Sequence, residues 1–87
     1  SFGNIRVNFV QGKIESIQDT ENNSVAIQSI STDRALPYNQ LICSAKGSRA
    51  EFQIGSIILR LGSLSVLSIL DDQSFFLHSG RYLMLVN

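Results

Sequence analysis

The sequence predicts an all-β fold, with short antiparallel or solenoid-like strands forming either a two-sheet sandwich or a short β-solenoid. Three observations carry this expectation. Apolar and polar residues alternate at a period of two in run after run, as half-buried strands require. The runs are short and punctuated by small or turn-forming residues, the spacing of sandwiches, barrels and short solenoids. No window keeps apolar residues at i, i+3, i+4 and i+7 over three turns, as an amphipathic helix would.

The elements follow in order. In "NIRVNFV", Ile5, Val7 and Phe9 share one face and Arg6 and Asn8 the other, so Phe9 is expected in the core. Gly12 breaks this run and "KIESI" resumes it. "QDTENNS", Gln18 to Ser24, is rich in turn formers and reads as a hairpin tip. "VAIQSIS" is the next strand. "TDRALPYNQ" is irregular. Pro37 fixes its own φ, offers no N–H and biases Leu36 toward an extended backbone, which places it ahead of a strand and not inside one. "QLICSA" is that strand, and "KGS" turns the chain. "RAEFQI" then alternates, with Ala50, Phe52 and Ile54 inward and Glu51 and Gln53 outward.

The most apolar stretch, "AEFQIGSIILRLGSLSVLSIL", contains Arg60, two glycines and four serines. A membrane helix has no use for these residues, whereas stacked strands with small corners do. Gly55-Ser56 and Gly62-Ser63 are the corners. "IILRL" sets Ile57, Leu59 and Leu61 against Ile58 and Arg60, and "LSVLSIL" is a further strand. Asp71-Asp72-Gln73 is a polar turn, "SFFLH" a strand, Ser79-Gly80 a turn and "RYLMLV" the last strand. "LSVLSIL" and "YLMLV" are apolar on both faces, so they are either sandwiched or meet a partner. The strand–glycine rhythm from Ile42 to Val86 is loosely repetitive, but no long repeat is visible in the letters.

With 87 residues the chain forms one domain, and at this size it buries roughly 60–65% of its unfolded surface. Seven basic residues balance seven acidic ones. This leaves no electrostatic footprint for nucleic acid or an anionic membrane, and little net charge to oppose self-association. Charged residues make up 16% of the chain, so thirteen serines, six asparagines and six glutamines supply much of the polar surface, a composition that fits secreted and cell-surface β proteins. The chain begins Ser1-Phe2-Gly3 without a methionine, which predicts a processed or excised piece whose targeting segment is removed. Cys43 has no internal partner and reads as a small hydrophobe.

The chemistry available is sparse. His78 is the lone histidine and lacks the companions a zinc site needs. Neither Asp71-Asp72 nor the acids of "DTENNS" have calcium-loop spacing. No nucleophile elbow, phosphate loop or dinucleotide fingerprint is present. No catalytic, metal or cofactor site is expected, and an enzyme ranks lowest among the readings. Contact residues are expected instead. Phe75 and Phe76 are neighbours that point to opposite faces of a strand, so one lies outside the primary core unless both faces are covered. Arg60, Arg81 and Tyr82 are the other candidates for an interaction face.

The order of these elements resembles the FecR-like domain of bacterial extracytoplasmic proteins. "GSRAEFQI" looks like that family's alternating strand, and "GSIILRLGSLSVLSI" like its corner and paired strands. "FFLHSGRYLMLV" is similar to the closing leucine, x, x, Gly, basic, apolar element. "IRVNFVQGKIESI", with Gly12 at its turn, looks like the leading strand pair. The resemblance covers residues 1–87 as a single domain, with the leading pair at about 4–30 and the core at about 41–87. Two features depart from the family: the further Gly-Thr-x-Phe-x-Val-like strand is not in the chain, and Ile54 stands where an acidic residue often precedes the corner. The resemblance implies a non-enzymatic interaction module in the periplasm, at the cell surface or secreted. Its partner would be a protein of the cell envelope, with a sensor or regulatory role. A self-assembling structural subunit, joined to copies of itself by strand pairing, is the alternative.

Overall fold

The structure, a computed structural model, describes residues 5–86. The expected start of the first strand at Asn4 lies outside the described residues. Ten strands follow in chain order: β1 (Ile5–Gln11), β2 (Ile14–Asp19), β3 (Val25–Ser29), β4 (Ala35–Leu36), β5 (Leu41–Ser44), β6 (Arg49–Ile54), β7 (Ile57–Leu61), β8 (Val66–Ile69), β9 (Phe75–Ser79) and β10 (Tyr82–Val86). They form two five-stranded sheets, one ordered β10-β7-β6-β1-β4 and the other β3-β2-β5-β8-β9. Every pairing is antiparallel. The expected all-β fold is therefore realised as a sandwich; a solenoid would stack its strands in parallel.

The inner faces are built by the period-two pattern. Ile5, Val7, Ala50, Phe52, Ile54, Leu59 and Leu61 of the first sheet are buried against Ile14, Ile42, Leu67 and Ile69 of the second. The inward reading of Ala50, Phe52 and Ile54 holds, and Gly55-Ser56 closes the tight β6–β7 hairpin between Ile54 and Ile57. Gly55 takes a φ of 59° there, as the first central residue of a II′ turn must. Pro37 follows the two-residue strand β4 and precedes β5, and Leu36 is extended as a residue before proline should be.

Two expectations need correction. Phe9 is not in the core: it is 41% exposed. β1 pairs Val7 with Phe52 and then Phe9 with Glu51, so Asn8 is an extra residue in the ladder. A bulge of this kind flips the side-chain parity beyond it. Val10, opposite Ala50, now faces inward and packs on the core, while Phe9 points out. The second correction concerns "LSVLSIL". Its strand begins only at Val66, and Leu64 is an exposed turn residue with a φ of 51°.

The sheets are joined by corners that repeat. Where β1 passes to β2, the Lys13 N–H donates to Ser48 Oγ at 2.8 Å. Where β9 passes to β10, the Arg81 N–H donates to Ser65 Oγ at 2.9 Å. The residue before each donor is a left-handed glycine, Gly12 or Gly80, pressed against that same serine. The Lys13 carbonyl accepts from Ala45 N–H at 3.1 Å and the Arg81 carbonyl from Gly62 N–H at 3.0 Å. The four-residue corners 45–48 and 62–65 also match, each with a left-handed third residue (Gly47, Leu64) and a buried serine fourth. The match extends to pairing. Strands β1, β6, β7 and β10 correspond to β9, β8, β5 and β2, and each sheet contains one set of four neighbours. The fold is thus an approximate two-fold repeat that the side chains obscure.

Candidate interaction surface

The repeat exposes an asymmetry. β2 is hydrogen-bonded to β5 on one edge and β3 on the other. Its counterpart β10 is bonded to β7 on one edge, and no described strand lies along the other. All five β10 residues are exposed and all carry apolar or aromatic side chains. Tyr82, Met84 and Val86 lie opposite Leu61, Leu59 and Ile57, on the core-side face. Leu83 and Leu85 lie opposite Arg60 and Ile58, on the outer face. Both faces of the strand are therefore apolar, as "YLMLV" foretold, and neither is more than about half covered. A long apolar edge of this kind invites another strand.

Next to β10, the outer face of the first sheet holds a groove of about 610 Å³. One row of side chains across the sheet is Phe9, Glu51, Arg60 and Leu83, in direct cross-strand register. Continuing the ladders by one residue sets Gly62 between Arg49 and Arg81, and all three line the groove. Outward Phe9 has a use here, because the Arg49 guanidinium rests 5.7 Å above its ring. Arg49 Nε also donates to Gln11 Oε1 at 2.9 Å. Arg60 Nε donates to Glu51 Oε1 at 2.9 Å, and Asn8 Nδ2 donates to Glu51 Oε2 at 3.1 Å. The hydrogen bond from Arg60, and then that from Asn8, hold the Glu51 carboxyl below the usual carboxylate range. Neither Arg49 nor Arg81 has an ion-pair partner among the described residues.

Of the five contact residues expected from sequence, the structure gathers four. Arg60, Arg81 and Tyr82 line the groove. Phe75 faces the interior, half-buried, and meets the Tyr82 ring edge-on with centroids 5.4 Å apart. Phe76 is separate, exposed on the outer face of the other sheet and edge-on to His78 at 4.6 Å. The phenylalanine pair thus splits between the two faces of β9. His78 Nε2 lies 3.0 Å from Ser68 Oγ, a hydrogen bond within its own sheet. Arg49 and Phe9 were not among the expected contacts. Arg49 reads as outward by alternation, but nothing in the sequence signals the bulge that turns Phe9 beneath it.

The second sheet also presents an apolar stripe. Ile27, Ile17, Leu41, Ser68 and Phe76 form one cross-strand row over its outer face, ending at the exposed edge strand β3. Cys43 lies one row away, opposite Glu15 and Val66. Burial and then the Glu15 carboxylate push its thiol pKa up, away from the reactive thiolate. No group of three or more metal-ligating side chains occurs among the described residues, nor does a helix long and apolar enough to cross a membrane. No protein-family model matches the chain, and no curated protein or solved structure is significantly similar to it.

Proposed function

We propose that this domain is a non-enzymatic, extracytoplasmic protein-interaction module, related to the FecR-like sensor and regulatory domains, that engages its partner by accepting a strand along β10. One observation carries the reading: a five-residue edge strand with apolar side chains on both faces and, among the described residues, no neighbour on one side. Strand addition supplies ladder hydrogen bonds to the free backbone groups, and alternate side chains give selectivity. Each β10 side chain is already about half covered, so covering the remainder is worth about 1 kcal/mol apiece, or roughly 5 kcal/mol along the strand before the costs of association. The strand and glycine pattern that resembles the FecR-like family supports the location and the regulatory role.

The test is a photo-crosslinking amino acid at Leu85, set against one at Gln28 on β3, with the domain exported in a bacterial host that carries FecR-like proteins. The reading expects a discrete envelope-protein adduct at Leu85 that is lost when Tyr82 and Met84 are replaced by aspartate. Adducts only at Gln28, or only with cytosolic proteins, would contradict it.

A second reading has its own support. β3, with Val25 and Ile27 exposed, is also an apolar edge, and the Phe75–Tyr82 contact sets β9 beside β10, which puts β3 at the far end of the sandwich. Pairing β10 of one copy with β3 of the next is head-to-tail, and head-to-tail contacts that do not close generate filaments. Sedimentation across a wide concentration range decides between the two. Reversible growth that stops on changing Ile27 to lysine supports assembly, and a lasting monomer removes it.

A further inference from the structure

We infer that the groove over Gly62 binds a carboxylate, and that the strand accepted by β10 is an acidic one. This rests on the reading of β10 as a strand acceptor and names the chemistry of what it accepts. The groove carries an excess of basic residues. Three arginines, Arg49, Arg60 and Arg81, line the groove against one acidic residue, Glu51, whose carboxylate Arg60 and Asn8 already hold. Among the described residues, two positive charges are left without a counter-ion, on a chain that is neutral overall. An arginine fork matches a carboxylate with two parallel N–H donors, and such charge-assisted bonds are about twice as strong as neutral ones.

The floor of the groove is formed by a glycine. Gly62 is not held in a left-handed conformation, and a Cβ there would meet only the Arg81 Cβ at 3.4 Å and the Arg81 carbonyl oxygen at 3.5 Å. The backbone does not demand glycine at this position. What its missing side chain does is leave an opening between Arg49 and Arg81, which stand on strands roughly 10 Å apart with the Gly62 chain between them. A carboxylate above Gly62 is flanked by these two arginines and met by Arg60 from the adjoining row. Phe9 and Leu83 supply apolar walls for the methylene groups behind it.

The groove is also continuous with the β10 edge. Arg81, Tyr82 and Leu83 belong both to the groove and to β10 or its approach. An extended segment along β10 puts every second side chain on the outer face, directly across from Leu83 and Arg81. A peptide backbone can use the free ladder groups of β10, which an isolated anion cannot.

The test uses two labelled peptides of equal length, one alternating valine and glutamate and the other valine and glutamine, titrated against the domain and followed by fluorescence anisotropy. The glutamate peptide is expected to bind at least about tenfold more tightly, a gap of 1.4 kcal/mol, and the difference should shrink with added salt. Arg81→Gln and Arg49→Gln should each remove most of that advantage and leave the glutamine peptide unaffected. Gly62→Leu, which fills the floor, should do the same without loss of the folded β signal. The glutamine peptide reads strand docking alone, and Leu85→Asp, outside the groove, should abolish its binding. Equal binding of the two peptides, with Leu85→Asp still disruptive, overturns the carboxylate site and leaves the β10 reading standing. Failure of both peptides overturns both. Displacement of the glutamate peptide by inorganic phosphate but not by acetate assigns the groove to phosphate and overturns the inference.

Discussion

Replacing Gly80 with alanine tests the architecture at its most constrained point. Gly80 has a φ of 95°, and a Cβ there would lie 2.1 Å from Ser65 Oγ, 2.5 Å from Ser65 Cβ and 2.5 Å from Ser65 Cα. The left-handed backbone alone costs an alanine roughly 1–2 kcal/mol. Rotating the serine side chain does not relieve the contact with Cα, so the corner must open. Opening it removes the part-buried hydrogen bond from Arg81 N–H to Ser65 Oγ, and leaving its groups unmet costs a further 1–3 kcal/mol or so. The sum is about 2–5 kcal/mol. For 87 residues, total stability at roughly 0.05–0.15 kcal/mol per residue comes to about 4–13 kcal/mol, so the variant loses a large share of it. Gly12→Ala, at the matching corner against Ser48, should fall in the same range. Gly47→Ala and Gly55→Ala meet nothing within 4 Å and should lose only the backbone part, about 1–2 kcal/mol. Urea unfolding read as a shift in midpoint at constant slope gives each value. Gly80→Ala within about 0.5 kcal/mol of the parent, or all four variants equal, would refute the argument from close approach.

Further outcomes follow from the same geometry. Leu64 occupies, at φ 51° and largely exposed, the place that Gly47 holds in the matching corner; Leu64→Gly should raise stability by about 0.5–1 kcal/mol, the relief of left-handed strain less the entropy glycine adds to the unfolded chain, measured by the same denaturation. Phe52→Ala should cost about 3–5 kcal/mol as a core deletion, whereas Phe9→Ala should cost under about 1 kcal/mol because it removes only an outward ring and its cation contact, and comparable losses would mean that Phe9 packs inward after all. The lowered pKa of Glu51 has a definite sign: its contribution is complete above the unfolded carboxylate pKa of 4.5 and is lost as pH falls through the lower folded value. Glu51→Gln should therefore flatten the acid limb of a stability–pH profile. Tyr38 works at the other end, its pKa raised above 10.0 by burial and then by Asp72 and Asp71, so folding loses stability as pH rises past 10 and Tyr38→Phe should blunt that fall.

Much of the fold was legible because strand patterning is local. "RAEFQI" and "IILRL" display their inner faces letter by letter, and glycine marks corners at positions 12, 55 and 80, where φ is positive. The bulge at Asn8 was not legible: an extra residue has no characteristic letter, and its effect depends on the partner strand β6. The internal repeat was hidden for a related reason. The corners 45–48 and 62–65 share backbone shape and a final serine, yet one reads AKGS and the other GSLS. The groove was out of reach because Phe9, Arg49 and Arg60 lie on three strands and Arg81 just ahead of a fourth, and only the pairing of β1, β6, β7 and β10 brings them into two adjoining rows. Apolar character on both faces of "YLMLV" was visible, but which face lacked cover depended on β10 standing at an edge.

Hydrogen exchange followed by mass spectrometry, with and without the valine–glutamate peptide, tests most directly whether β10 is the element of contact. The β10 amides that point away from β7 should exchange quickly in the free domain and become protected when the peptide is bound, while those of β3 stay unchanged. Protection confined to β3 or to the outer face of the second sheet, with β10 unaffected, would contradict the account.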